Sequence, residues 1–183
     1  MTLKEELDAF YIRYNIPENG GEDDKTFEVP LPGFTLRLPN YNWRRRMLHV
    51  HDLEHIVNQQ DTTWRGEMYI ASWEIATGFW RYFPISTFPF WTMGFGLWKH
   101  PVSVFRGFMQ GCRDKGIATL GMPKDEILKL TADELKQRIK GKARLRAPLL
   151  RYLKFGFFAF VAQLYFLLPF ILLFLFFLII IRF

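Results

Sequence analysis

The sequence predicts an all-α protein, made of a compact helical domain and a single C-terminal transmembrane helix. Two observations support this class. Apolar residues recur at helical spacing and short alternation of apolar and polar residues is scarce, which disfavours half-buried strands. The chain then closes with a long apolar run that carries no charge.

Capping signals and prolines locate the elements of the first part of the chain. Thr2 and Glu5 form a predicted capping box that opens a helix ending near Tyr14. Three prolines between residues 27 and 39 rule out a helix there, so we expect this segment to run extended. Helices are then predicted at about residues 43–59 and 63–82.

The remaining elements of the domain are shorter. Prolines 84 and 89 and glycines 94 and 96 predict that no long element forms between residues 83 and 101. A helix from Val102 to about Lys115 follows, with Gly116 as its predicted C-cap. Two short helical segments are predicted next, at residues 124–130 and after the capping box of Thr131 and Glu134.

The run from Phe155 to Ile181 predicts a membrane anchor. It holds 27 uncharged residues, of which only Gln163 and Tyr165 carry a polar side-chain group. A helix needs about 20 apolar residues to cross the hydrocarbon core, so the run suffices for one span and is too short for two. We therefore divide the chain into a helical metal-binding domain at 1–142, a basic juxtamembrane segment at 143–154 and an anchor at 155–181.

The charge distribution indicates contact with a membrane surface and no contact with nucleic acid. Residues 1–135 hold 15 basic and 18 acidic side chains, whereas residues 136–154 hold eight basic ones and no acid. A basic cluster just before a span binds anionic lipid headgroups and favours the cytoplasmic (or matrix) side for the preceding domain. The lone Cys112 excludes a disulfide framework and a cysteine-rich zinc site.

The main candidate for chemistry is the pentapeptide His51-Asp52-Leu53-Glu54-His55. Residues four apart share one face of a helix, so His51 and His55 point the same way and Asp52 lies beside them. Eleven residues separate His55 from Glu67, which a helical hairpin would bring opposite the last turn of the preceding helix. Two imidazoles with one or two carboxylates suit zinc, ferrous iron, manganese or cobalt and leave coordination positions open.

Two known metal motifs compete for this pentapeptide. His51, Glu54 and His55 match the inverzincin H-x-x-E-H pattern, in which the glutamate activates a water on zinc. One hypothesis is therefore a membrane-anchored zinc hydrolase in which Glu54 is the base. The H-E-x-x-H pattern fails because Asp52 replaces the glutamate, and HD-type phosphohydrolases need a more distant upstream histidine than His49.

The H-D-x-x-H element followed after eleven residues by Glu67 resembles the signature of the metal-binding coenzyme Q (ubiquinone) biosynthesis proteins, the fourth member of that gene series. The likeness covers about residues 40–140. It includes the segments Gly66-Glu67-Met68, Trp73-Glu74, Asp125-Glu126-Ile127-Leu128 and Glu134-Leu135-Lys136-Gln137-Arg138. The turn 58–61 lacks the glycine usual in that family, and the C-terminal span is an addition to it.

The resemblance implies that His51, Asp52, His55 and Glu67 hold one divalent metal ion, zinc or iron. It also implies an all-α, membrane-associated protein of quinone biosynthesis that removes the ring carboxyl of a prenylated precursor, with hydroxylation at that carbon. The expected partners are membrane lipid, a lipophilic quinone-like substrate and other subunits of a membrane complex. A non-catalytic accessory or scaffold subunit is the alternative hypothesis.

Two further features bear on this site. Glu74 lies two turns beyond Glu67 on the same helical face, so we expect it to orient a ligating histidine or to carry a proton. The six aromatic residues between 83 and 101 have two interpretations, a surface facing lipid or an isoprenoid tail, and part of the ordinary core.

Overall fold

The computed structural model describes residues 1–31, 33–141 and 148–182, and its regular structure confirms the all-α class. Helices dominate the described residues, which contain a single two-stranded sheet. The elements in chain order are α1 (Leu3–Tyr14), β1 (Thr26–Leu31), β2 (Phe34–Pro39), α2 (Asn42–Asn58), α3 (Trp64–Thr77), α4 (Thr87–Lys99), α5 (Pro101–Gly111), α6 (Lys124–Ile127), α7 (Ala132–Ile139) and α8 (Pro148–Arg182).

Both predicted capping boxes are present. The Thr2 side chain accepts a hydrogen bond from the backbone N–H of Glu5, and the Glu5 carboxylate accepts one from the backbone N–H of Thr2. Thr131 and Glu134 make the same pair of hydrogen bonds at α7. Each box satisfies N–H groups that the first turn of a helix leaves without partners. The N-termini of α1 and α7 are therefore specified by local sequence alone.

The segment predicted to run extended forms an antiparallel hairpin. Its register pairs Thr26 with Pro39 and Leu31 with Phe34, and Gly33 in the connection has a φ of +88° that favours glycine. The prolines excluded a helix correctly. The pairing itself was not predicted, although apolar residues occupy every second position from Phe27 to Leu31 and from Phe34 to Leu38, as they do in strands.

The prediction that no long element forms between residues 83 and 101 is wrong, because α4 occupies Thr87–Lys99. Pro89 lies in the first turn, where backbone N–H groups have no helical acceptor to lose. Position 94 needs glycine because of close packing and not because of a turn. A Cβ there would lie 2.4 Å from the carbonyl oxygen of Ala162 on α8. Helix α5 also ends earlier than predicted, at Gly111, so Gly116 is not its C-cap.

Helix α3 lies between two hydrophobic clusters and contributes to both. Trp73 packs with α1, α2 and the residues after α5, whereas Met68 and Ile75 pack with α4, α5 and α8. All three side chains are fully buried. Because α3 is enclosed on opposite faces, the carboxylates it carries are held in fixed positions.

Helix α8 is the one described helix long and apolar enough to cross a membrane. The qualifying stretch runs over Pro148–Ile181, and an 18-residue window within it has a mean hydropathy of 3.1. It begins before the predicted anchor at 155–181, and residues 142–147, which belong mostly to the predicted basic segment, lie outside the described residues. Within the first half of α8, Phe158 and Ala162 are buried against the domain.

The close approach of α4 and α8 yields a test. We expect Gly94→Ala to lower the free energy of unfolding by about 1–3 kcal/mol, because the added methyl group must push α8 away from α4. Gly156→Ala is the matched control in α8, since its Cβ would meet no atom within 4 Å. Denaturant unfolding of both variants measures the difference, and equal stability would contradict the packing described here.

Candidate metal centre

The connection between α2 and α3 brings the predicted ligands together. Gln59 ends α2 with a left-handed φ of 54°, and the Thr63 hydroxyl caps α3 by accepting from the Gly66 backbone. Gly66 packs so tightly that a Cβ would lie 2.0 Å from the Asp61 carbonyl oxygen. The turn therefore places Glu67, in the first turn of α3, against the last two turns of α2.

Three donor groups converge at this point. His51 Nε2 lies 3.3 Å from His55 Nε2, 3.4 Å separates His51 Nε2 from Glu67 Oε2, and 3.4 Å separates His55 Nε2 from Glu67 Oε1. Two imidazole nitrogens and one carboxylate are thus the corners of a triangle, in which each nitrogen faces a different oxygen of Glu67. His51 and Glu67 are about one-third exposed, whereas His55 is buried.

These separations fit a divalent first-row metal ion. Zinc binds histidine nitrogen and carboxylate oxygen at about 2.0–2.2 Å, and in a tetrahedral site two ligands then lie roughly 3.3–3.6 Å apart. The measured triangle has these edges. The donor chemistry, two imidazoles and a carboxylate, also suits zinc or ferrous iron and leaves positions free for another molecule.

The outer nitrogens of both histidines support the same assignment. His51 Nδ1 lies 3.2 Å from Glu74 Oε1, and His55 Nδ1 lies 3.4 Å from the Gln60 carbonyl oxygen. Each acceptor holds a proton on Nδ1 and leaves the lone pair of Nε2 directed at the triangle. A carboxylate or carbonyl in this position commonly fixes the tautomer of a metal-binding histidine.

Without a metal ion, a proton on His51 supplies the positive charge at this site. Burial opposes a charge on His51, but hydrogen bonds to Glu67 and then Glu74 hold the pKa of His51 well above its usual value. Burial likewise opposes ionisation of Glu67, yet its bonds to His51 and His55 keep its pKa well below the usual range. The site therefore holds positive charge at its centre even without a metal.

Glu54 lies near the other edge of the His51 ring. One of its carboxylate oxygens can lie within 4.8 Å of donor atoms from His51 and Glu74. His51, Glu54 and Glu74 therefore form a second cluster of possible metal ligands, which shares His51 with the triangle. The side chain of Glu54 is buried, and its Oε2 has no hydrogen-bond partner. Burial first, and then the charge of Glu74, raise the pKa of Glu54 well above its usual value.

Asp52 belongs to neither of these groups. Its Oδ2 accepts a hydrogen bond of 2.9 Å from the Tyr11 hydroxyl of α1, and the same oxygen lies against Gly20. Burial raises the pKa of Asp52, an effect opposed by His51 and by the Tyr11 hydrogen bond. The observed role of Asp52 is to join α1 to α2, and its role as a ligand stays a prediction.

A cavity of about 200 Å³ opens beside the triangle. His51, Glu67 and Glu74 line one side, and apolar side chains line most of the rest, among them Phe27, Met47, Leu48, Ala71, Phe79 and Phe88. An apolar cavity of about 150 Å³ holds a benzene ring, so this one accommodates a single substituted ring.

Arg44 places a cation in the same cavity. Its guanidinium lies 3.6 Å from the centroid of Phe27 and donates a 2.9 Å hydrogen bond to Asn40 Oδ1. Burial lowers the pKa of Arg44 to about 10, so it stays charged at neutral pH. The sequence did not single out Arg44, because three adjacent arginines gave no sign of which one faces inward. Its spacing of seven residues before His51, two helical turns, was the available signal.

Metal analysis tests the ligand set. We expect full-length protein purified with zinc or iron to hold about one ion per chain, and His51→Ala, His55→Ala and Glu67→Gln to lose it, because each removes a converging donor. His49→Ala, on the same helix, and the exposed Glu126→Gln are matched controls. Asp52→Asn tests the predicted fourth ligand: retention of the ion limits the set to three residues.

Metal affinity should rise with pH. Above the usual pKa near 6.5, the folded metal-free chain still holds a proton on His51, and a metal ion must displace it. We expect affinity to increase roughly tenfold per pH unit between about pH 6 and the raised pKa of His51, with one proton released per ion. Competition with a chelator at several pH values measures this, and a flat profile would contradict it.

A search for related proteins adds nothing to this geometry. No protein-family model, curated protein or solved structure matches the chain. The resemblance to the coenzyme Q biosynthesis family therefore stays a prediction that experiments on the site must test.

Proposed function

We propose that this chain is a membrane-tethered, metal-dependent enzyme that acts on a lipophilic aromatic acid. The reaction proposed is the one implied by the sequence resemblance, removal of a ring carboxyl with hydroxylation at that carbon, as in ubiquinone biosynthesis. In balance, the ring acid, dioxygen and water would give the phenol, carbon dioxide and hydrogen peroxide. The observation that carries the proposal is the convergence of His51, His55 and Glu67 at the wall of an apolar cavity sized for one ring.

Arg44 favours an acidic ring over a neutral one. It lines the same cavity as His51, seven residues earlier on α2, which corresponds to about 10 Å along the helix. A partly buried guanidinium binds a carboxylate or phenolate through charge-assisted hydrogen bonds, which are stronger than neutral ones. A ring between the two positions would have polar atoms at its ends and apolar contacts along its faces.

An apolar cleft next to the cavity favours a lipophilic substituent on that ring. Its volume is about 280 Å³, and its lining combines Leu36 and Leu38 of β2, Trp91 of α4 and Tyr165 of α8. Phe88 lines both the cleft and the cavity. A hydrocarbon chain in the cleft would therefore run from the cavity towards the apolar helix.

The residues of the site have separable roles in this proposal. His51, His55 and Glu67 would hold the ion, Glu74 keeps the proton on His51 Nδ1, and the aromatic walls exclude water from the ring. A bound divalent ion supplies a positive charge that attracts carboxylate or phenolate oxygen and stabilises negative charge in the ring, and iron adds reactivity towards dioxygen. Glu54 clusters with His51 and Glu74 and is not one of the three converging donors, so the hydrolase hypothesis has less support from this geometry.

The membrane setting completes the proposal. The apolar helix α8 would anchor the protein, with the domain on the cytoplasmic (or matrix) side, as the basic residues before the span favour. Membrane lipid and further subunits of a biosynthetic complex are the proposed partners. The helical domain would then work beside the lipid phase in which a prenylated substrate dissolves.

The proposed activity can be measured in vesicles. Full-length protein loaded with zinc or with ferrous iron would be incubated with a prenylated hydroxybenzoic acid and dioxygen, and mass spectrometry would follow replacement of the carboxyl by a hydroxyl group. We expect turnover with one of these ions, and a loss of at least about tenfold in Arg44→Gln, since a buried charge pair contributes on the order of 1.5–3 kcal/mol.

Ala71→Leu sharpens the test. Ala71 lines the cavity without being a proposed ligand, so the larger side chain should abolish turnover while the ion is retained. Arg46→Gln, an exposed neighbour on α2, is the control for Arg44 and should change nothing. Metal-free native protein would sink the enzyme proposal, and bound metal with fixed protein partners and no turnover would favour the scaffold alternative.

A further inference from the structure

The exposed part of α8 is too short to cross a bilayer by itself. Every residue from 167 to 181 is exposed, and these 15 residues make about 22 Å of helix. The hydrocarbon core is about 30 Å thick and needs about 20 residues. Counted back from Ile181, a full span must therefore begin near Ala162, which is fully buried against the domain.

Helix α4 is the element that meets α8 at this level. Phe90 stacks on Tyr165 with ring centroids 4.9 Å apart and contacts Phe158 at 6.2 Å, and Trp91 contacts Phe166 at 5.7 Å. These contacts cover about 12 Å of α8. Helix α4 thus packs against α8 at the depth where the hydrocarbon core must begin.

The polar group of the span is satisfied by α4. Gln163 Oε1 accepts a 2.8 Å hydrogen bond from Trp98 Nε1, and Gln163 Nε2 donates one of 2.8 Å to the Gly94 carbonyl oxygen. In lipid, burying a side-chain amide that has no hydrogen-bond partner costs several kcal/mol, whereas in water the solvent supplies the partners. The arrangement is the one that a buried position in a bilayer demands.

The outer surface of α4 has the composition of a membrane interface. No charged side chain occurs between residues 82 and 98, and Lys99 follows at the end of the helix. Trp98 is 71% exposed although it is large and apolar. Tryptophan concentrates where headgroups meet acyl chains, because its ring is apolar and its N–H is polar.

We propose that α4 is immersed in the near leaflet of the bilayer, packed against α8 with Trp98 facing lipid, so that the domain is seated in the membrane and not merely tethered to it. The immersed surface would take lipid as its partner, and the apolar cleft beside Trp91 and Tyr165 would open into the same leaflet. The inference rests on the proposed span of α8 but not on the metal or on turnover.

Thiol labelling in vesicles measures the depth of α4. Cys112 is the only cysteine, so Cys112→Ala provides a background for Trp98→Cys, for Ile12→Cys as a water-exposed control on α1, and for Leu172→Cys as a control within the span. Maleimide reacts with the thiolate, and each unit by which apolar surroundings raise a thiol pKa slows labelling roughly tenfold. We expect Trp98→Cys to label at least about tenfold more slowly than Ile12→Cys.

The outcomes separate this inference from the proposed function. Trp98 is exposed in the protein itself, so slow labelling would come from lipid. Rapid labelling of Trp98→Cys beside a protected Leu172→Cys overturns the immersion, and rapid labelling at both positions overturns the span as well. Metal analysis on the same samples reports independently on the site.

Fluorescence provides a second measurement that needs no cysteine. Brominated phospholipids quench nearby tryptophan, and the wild-type chain should lose more emission in such vesicles than Trp98→Phe does. Equal fractional quenching in the two proteins contradicts the proposed depth of α4, even if Trp98→Cys fails to fold.

Discussion

The grouping of three buried carboxyl groups and the partly exposed Glu67 beside two imidazoles is the constraint that the rest of the structure must satisfy. A buried carboxylate without a partner is strongly unfavourable, so each of these groups needs its own solution. Asp52 accepts a hydrogen bond from the Tyr11 hydroxyl, Glu67 and Glu74 face His51, and burial raises the pKa of Glu54 well above its usual value. These four solutions tie together α1, α2 and α3. An ion in the triangle would replace the proton on His51 as the counter-charge.

Helix α3 connects this polar cluster to the apolar parts of the molecule. Glu67 and Glu74 occupy one stripe of a helix whose other faces are buried in both hydrophobic clusters. Since α4 and α5 pack on α3 and also contact α8, the position of the ligands and the position of the apolar helix are set by the same core. A substrate in the cavity would lie where these two parts of the fold meet.

Local sequence information predicted the parts of the structure that local interactions determine. Capping boxes located α1 and α7, and the four-residue spacing of His51 and His55 placed both on one face. The residues of the α2–α3 turn were sufficient to predict that Glu67 approaches these two histidines. Helix α4 was missed because Pro89 and Gly94 were interpreted as breakers, whereas Pro89 lies in the first turn and a contact with α8 decides the role of Gly94. The partner of Asp52, which is 41 residues away, had no signal in the chain.

The short connection between the two ligand-bearing helices has an entropic consequence. Only eleven residues separate His55 from Glu67, whereas the bond between Trp98 and Gln163 joins residues 65 apart. The entropic cost of closing a loop grows with the logarithm of its length. Bringing His55 and Glu67 together therefore costs about 1.5 kcal/mol less than closing the longer loop. The three donors can therefore assemble within one helical hairpin, before the chain that follows has found its place.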